Sequence, residues 1–273
     1  MAGPSSLLLL SPVGSPTDSD SDADDDGLEF TAVDSFHGVQ SQDGSRYSVD
    51  LSALIHHGTT RIFRGTLSAD GIPYTEVVCK VGTGPRLVER IRHEARLYRT
   101  KLAPLQGRFV PRCFGLFEGV VEGVETSCLV LSYEGEPTQH SLHTTGIDFR
   151  RKAVSALQAL HKVGVAHGDF NERSIVLRPT SCPVLVGFGG AVEHCCNLGH
   201  PIKFYEPQPQ CDDVACDELY WACVMSAVWL PGVCFHSLLR VRDFMAVPAS
   251  PSSRSHRGVL ELPCPHPLCA RGL

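Results

Sequence analysis

The sequence predicts an α+β protein with a small antiparallel sheet lobe followed by a larger, mainly helical lobe, and three observations carry that expectation. Strand-like segments come early, at 62–65, 74–80 and 128–133, each rich in β-branched or aromatic residues. Helical periods dominate later, from about residue 148 onward. Strands first and helices afterwards is the order of an α+β chain, not of alternating strand–helix units. At 273 residues the chain suits one domain of roughly 200 residues plus tails, large enough to bury a substantial core and too small for two full domains.

Residues 1–44 are rich in Ser, Pro, Gly and Asp, and such a composition does not offset the entropy of ordering, so a disordered acidic tail is expected. Ser15 to Asp22 sets hydroxyls beside carboxylates, a setting that acidophilic kinases favour, although a solvated charge run is the plainer reading. Leu7 to Leu10 follows no Lys or Arg and is far shorter than the roughly 20 residues of a membrane span, so neither a signal peptide nor a membrane partner is expected. The twelve cysteines are then read as reduced thiols of a cytoplasmic or nuclear protein. Seven acids lie between positions 18 and 29, and the rest of the chain holds 24 basic against 23 acidic residues. Nothing supplies the positive footprint of a nucleic-acid binder.

The folded domain is expected over 45–245, its sheet lobe at 45–134 and its helical lobe at 135–245. Gly58 sits in a turn between Ile55 and Gly65, and Lys80 ends the strand 74–80. Residues 86–101 read as a helix, with Leu87, Ile91, Tyr98 and Leu102 on one face. Glu94 shares that apolar face, where a carboxylate is costly unless a cation meets it, and Lys80 is the candidate cation. The strand 128–133 runs into Glu134-Gly135-Glu136-Pro137. A second helix, 148–162, buries Phe149, Ala153, Ala156, Leu157 and Leu160, with Gly164 where a left-handed C-cap belongs. It delivers the chain into Val165-Ala166-His167-Gly168-Asp169-Phe170. After a turn at 179–183, the strand 184–186 leads to Gly187-Phe188-Gly189-Gly190-Ala191. Residues 217–230 are apolar on every side, as a buried helix would be. Residues 246–273 read as an unstructured tail, and Cys264, His266 and Cys269 lack a second Cys/His pair at zinc-finger spacing, so no metal site is expected there.

Taken in order, Lys80, Glu94, the strand before Glu134, His167-Gly168-Asp169 and Gly187-Phe188-Gly189 resemble the protein-kinase-like superfamily, over roughly residues 45–235. The stretch 105–112, with Phe114-Gly115-Leu116, is similar to divergent fungal members. The resemblance implies a two-lobed fold with ATP in the cleft. Lys80 paired with Glu94 would hold the α- and β-phosphates, Gly58 would lie over the nucleotide, and the backbone at Glu134 would meet the adenine. Asp169 would orient the substrate hydroxyl as catalytic base, His167 would pack beneath the loop, and Asp217 would steady it. The lower lobe reads as truncated, as a gene-model error would leave it.

Three positions depart from the family pattern. Gly168 replaces the usual Arg, as in small-molecule kinases. Ser174 stands where an Asn binds a second magnesium ion, and Gly187 where an Asp bridges magnesium to the β- and γ-phosphates. With both metal-ligand positions altered, the implied reading is a pseudokinase that binds ATP weakly or acts through an unknown protein partner. The alternatives are an active ATP-dependent phosphotransferase, acting on protein or small molecule with Asp169 as base, and a cysteine-rich metal-binding module.

Overall fold

The computed structural model describes residues 6–10, 28–35, 46–69, 71–178, 182–198 and 201–230. All of them lie in one compact unit, Met1–Gly232. The fold is mixed α+β, with the strand-rich part first. Its strands are β1 (Ser6–Leu10), β2 (Leu28–Ser35), β3 (Arg46–His57), β4 (Arg61–Ala69), β5 (Ile72–Thr83), β6 (Cys113–Val121) and β7 (Val124–Ser132), with helix α1 (Pro85–Arg99) between β5 and β6. The short strand β8 (Glu136–Pro137) precedes helix α2 (Ile147–Lys162), and β9 (Val165–Ala166), β10 (Ile175–Leu177), β11 (Pro183–Leu185) and β12 (Val192–Glu193) then lead to helices α3 (Cys211–Val214) and α4 (Asp217–Met225).

Five antiparallel strands in the order β3-β4-β5-β7-β6 make the main sheet. Apolar side chains of alternating positions, among them Val49, Leu67, Val77, Cys79, Phe117 and Val130, form the core on one of its faces. The structure corrects the expectation of disorder at two places in 1–44. Strand β2 pairs antiparallel with β6, and β1 pairs antiparallel with β2 and parallel with β3, which closes the sheet into a barrel. The physical reason is the sheet edge: β3 and β6 would otherwise present rows of unpaired backbone groups, and those hydrogen bonds help offset the ordering of two short segments. Ser15 to Asp22 lies outside the described residues, as do the tail 246–273, its Cys264, His266 and Cys269, and 231–245 of the expected helical lobe.

Helix α1 turns Ile91, Glu94, Ala95 and Tyr98 inward, and α2 buries Ala153, Val154, Ala156, Leu157 and Leu160 in a core shared with Phe170, Ile175, Leu185, Phe188 and Leu219. Gly164 follows α2 at φ 82°, where a residue without a Cβ reverses the chain. Another glycine is fixed by contact. Gly135 has φ 104°, and a Cβ there would lie 1.9 Å from the carbonyl oxygen of Leu177 on β10. Helix α4 departs from expectation. It ends at Met225, and Trp221 and Met225 are exposed together with Asp217, a stripe spaced four residues apart that no described residue covers. Among the described residues no helix is long and apolar enough to cross a membrane.

Candidate functional site

Lys80 leaves β5 beside Ile62 of β4, and α1 lies across the sheet so that Glu94 faces it. The ammonium Nζ lies 2.5 Å from Glu94 Oε2, with Glu94 only 2% exposed and Lys80 13%. The other carboxylate oxygen, Oε1, accepts the backbone N–H of Phe188 at 3.2 Å. Glu94 therefore spends both oxygens, one on a cation and one on the turn that follows β11. Phe188 is fully buried, edge-on to Tyr98 at 5.6 Å and tilted against the His167 ring at 5.0 Å. His93 adds a second tie from α1, its Nε2 donating to the Ala191 carbonyl at 2.7 Å. Gly187 enters this turn at φ 91°, and a Cβ built on it would meet nothing within 4 Å.

The loop 167–174 is organised by its own polar groups and by α4. His167 Nε2 bonds the Val186 carbonyl at 3.0 Å; a carbonyl only accepts, so Nε2 carries the proton and Nδ1 accepts the Asp169 N–H at 3.2 Å. Burial lowers the His167 pKa, which agrees with this neutral tautomer. Asp169 is exposed, and the side-chain amide of Asn171 donates to its Oδ1 at 2.5 Å. Asn171 also accepts the Arg173 N–H at 2.9 Å. Ser174, 6% exposed, donates its hydroxyl to the Asn171 carbonyl at 2.9 Å and accepts the Asn171 N–H at 3.0 Å. Its oxygen thus closes a capping box within the turn.

Sequence reasoning assigns the support of this loop to Asp217, whereas the structure gives it to Glu218. Glu218 Oε2 accepts the His167 N–H at 2.9 Å and Oε1 accepts the Gly168 N–H at 2.6 Å, while His161 Nε2 lies 2.6 Å from Oε2. Burial opposes its ionised form, yet the His161 ring and the two amides outweigh that and hold its carboxyl below the usual range. Asp217 instead points to solvent, with the Cys211 thiol 3.9 Å away. One residue along a helix is a rotation of about 100°, which is the whole difference between facing the loop and facing water.

Lys80 and Glu94 line a cavity of about 210 Å³ together with His56, Thr59, Thr60, Arg90 and Gly189. Gly58 lies in the exposed β3–β4 turn just outside that lining. Arg90 covers Gly189, where an added Cβ would stand 2.7 Å from the guanidinium Nε. Glu134 borders a separate groove of about 680 Å³ around 133–140. Its carboxylate receives the Ser132 hydroxyl at 2.5 Å and pairs with Arg178. Asp169 and Ser174 line neither space. The structure thus brings Lys80, Glu94 and the 187–189 turn together and leaves Gly58, Glu134 and Asp169 around them.

A further group went unread in the sequence. The ligand atoms of His161, His194, Cys196 and Cys216 all lie within 4.8 Å of one another. His194-x-Cys196 is a signal only in retrospect, because its partners stand at no familiar metal-ligand spacing. Compared with family models and with curated proteins, the chain matches none.

Proposed function

We propose that this chain is a protein-kinase-like pseudokinase, a two-lobed fold with little or no phosphoryl transfer that binds nucleotide weakly without magnesium, or acts through a protein partner. The observation that carries the reading is the Lys80–Glu94 pair extended to the Phe188 amide. A strand Lys, a helix Glu and the turn beside them would clamp a polyphosphate, and Arg90 in the same cavity adds a second cation. The metal side of the machinery is absent from the side chains. Gly187 has no oxygen to offer, and the Ser174 hydroxyl is spent on Asn171. The loss of one preorganised electrostatic group typically costs about 10² to 10³ in rate, and two positions are altered here. The cavity of about 210 Å³ is also below the roughly 300–1,000 Å³ usual for ligand pockets, so a nucleotide requires the β3–β4 turn to open.

Thermal-shift titration with ATP, with and without magnesium, tests the reading. A small shift that ignores magnesium, or no shift, is expected, and a shift that requires magnesium overturns it. Gly187→Asp with Ser174→Asn is expected to create magnesium-dependent ATP turnover that the unaltered chain lacks. Asp tolerates the left-handed backbone at 187 better than most residues, and its side chain has open space.

One observation favours the second reading, an active phosphotransferase with Asp169 as base: Asp169 is exposed and its carboxylate is already oriented by Asn171. Magnesium-dependent transfer that disappears in Asp169→Ala would establish that alternative.

A further inference from the structure

We propose that His161, His194, Cys196 and Cys216 bind one zinc ion that staples the end of α2 and the start of α4 to the segment after β12. The argument begins with distances. Tetrahedral zinc holds sulfur at about 2.3 Å and imidazole nitrogen at about 2.05 Å, which puts neighbouring N and S ligands about 3.6 Å apart. Cys216 Sγ lies 3.5 Å from His161 Nδ1 and 3.6 Å from His194 Nε2. All four ligand atoms fall inside a 4.8 Å span, so an ion at their centre needs only small side-chain adjustments.

The tautomers agree. His161 Nε2 faces the Glu218 carboxylate at 2.6 Å and must donate to it, which leaves the Nδ1 lone pair directed at Cys216. A carboxylate behind a ligating histidine is the usual outer partner of a zinc-bound imidazole. The two imidazole rings meet edge to face with centroids 4.9 Å apart, a crossing that lets each aim one nitrogen at a shared point.

Charge and access also fit. Cys196 and Cys216 would bind as thiolates, each releasing its proton to solvent, and two thiolates neutralise a divalent cation in a place where net charge is costly. His161 and Cys216 are 3% and 6% exposed, while His194 and Cys196 are half-buried and leave a way in. Four protein ligands fill the coordination shell, so the ion is structural and not catalytic. Its reach is longer than the cluster. Zinc fixes His161, His161 orients Glu218, and Glu218 holds the amides of His167 and Gly168 just before Asp169. The site stands independently of any nucleotide.

The test is the metal content of the full chain, purified without chelator. One zinc per chain is expected, retained in Cys195→Ser and in Cys264→Ser with Cys269→Ser, and lost in Cys196→Ser with Cys216→Ser. Glu218→Gln should weaken zinc affinity by about 10-fold to 100-fold. Because Cys216 is buried and its variant could misfold, the unaltered chain loaded with cobalt(II) provides a second measurement. Intense visible bands of a tetrahedral site with thiolate-to-cobalt charge transfer are expected. Metal-free protein, zinc that survives the double cysteine variant, a weak octahedral cobalt spectrum, or a Cys196–Cys216 disulfide in the purified chain would each overturn the proposal.

Discussion

Two glutamates hold the 187–189 and 167–168 turns, and they do so differently. Glu94 reaches the 187–189 turn from α1 with one oxygen on an ammonium and one on a single amide. Glu218 reaches the 167–168 turn from α4 with an imidazole and two amides. Lys80, the partner of Glu94, lines a cavity, so an incoming anion can share its charge. The partners of Glu218 are two backbone amides and a buried imidazole, none of which carries a charge that a ligand in that cavity could share. The first arrangement is an ion pair that a ligand can borrow; the second is a fixed joint. A buried ion pair is weak evidence for net stability, whereas a carboxylate satisfying backbone donors is costly to remove because it strands them.

That contrast orders the expected effects. Glu218→Ala should be the most damaging, costing about 3 kcal/mol, because two backbone amides and the buried His161 ring lose their acceptor at once; denaturant unfolding measures it. Glu94→Ala should cost less, about 2 kcal/mol, since water in the neighbouring cavity can solvate Lys80. If Glu94→Ala proves the more destabilising of the two, the contrast fails. The pH dependence of stability sharpens the comparison at the 167–168 turn. Burial puts the folded pKa of His167 below its ordinary value of 6.5. As pH falls below that value the unfolded chain takes up a proton that the folded chain refuses, so stability is lost towards acid and is flat above it. The slope should not exceed about 1.4 kcal/mol per pH unit, and His167→Gln should remove this component from the melting profile. Ser174→Ala removes only a cap inside the turn and should cost about 1 kcal/mol. Asp217→Ala should change stability by less than about 0.5 kcal/mol, as befits an exposed side chain beside the one that matters.

Glu94 and Lys80 were legible in the sequence because a charge on an apolar helical face demands a partner, and the preceding strand offered one. The resemblance to a family singled out Asp169 and the 187–189 turn, of which the structure brings the turn, and not Asp169, to Lys80 and Glu94. Glu218 was not, because helix α4 is apolar on most sides and no period distinguishes its first residue from its second. Strands β1 and β2 were hidden for another reason. Composition judges a segment by its own contacts, while the pairing of β1 and β2 depends on edges contributed by residues far along the chain. The His/Cys cluster is the extreme case, assembled from three chain regions that only the fold brings within reach.

The close approach of Gly135 to Leu177 has a consequence for how this chain can vary. Alanine there would drive a methyl group into a carbonyl oxygen, and the displaced strand is the one that follows Ser174 and pairs with β11 just ahead of Gly187. A single added carbon at the junction would act as a wedge, transmitting its displacement to the 167–174 loop and the 187–189 turn without touching either.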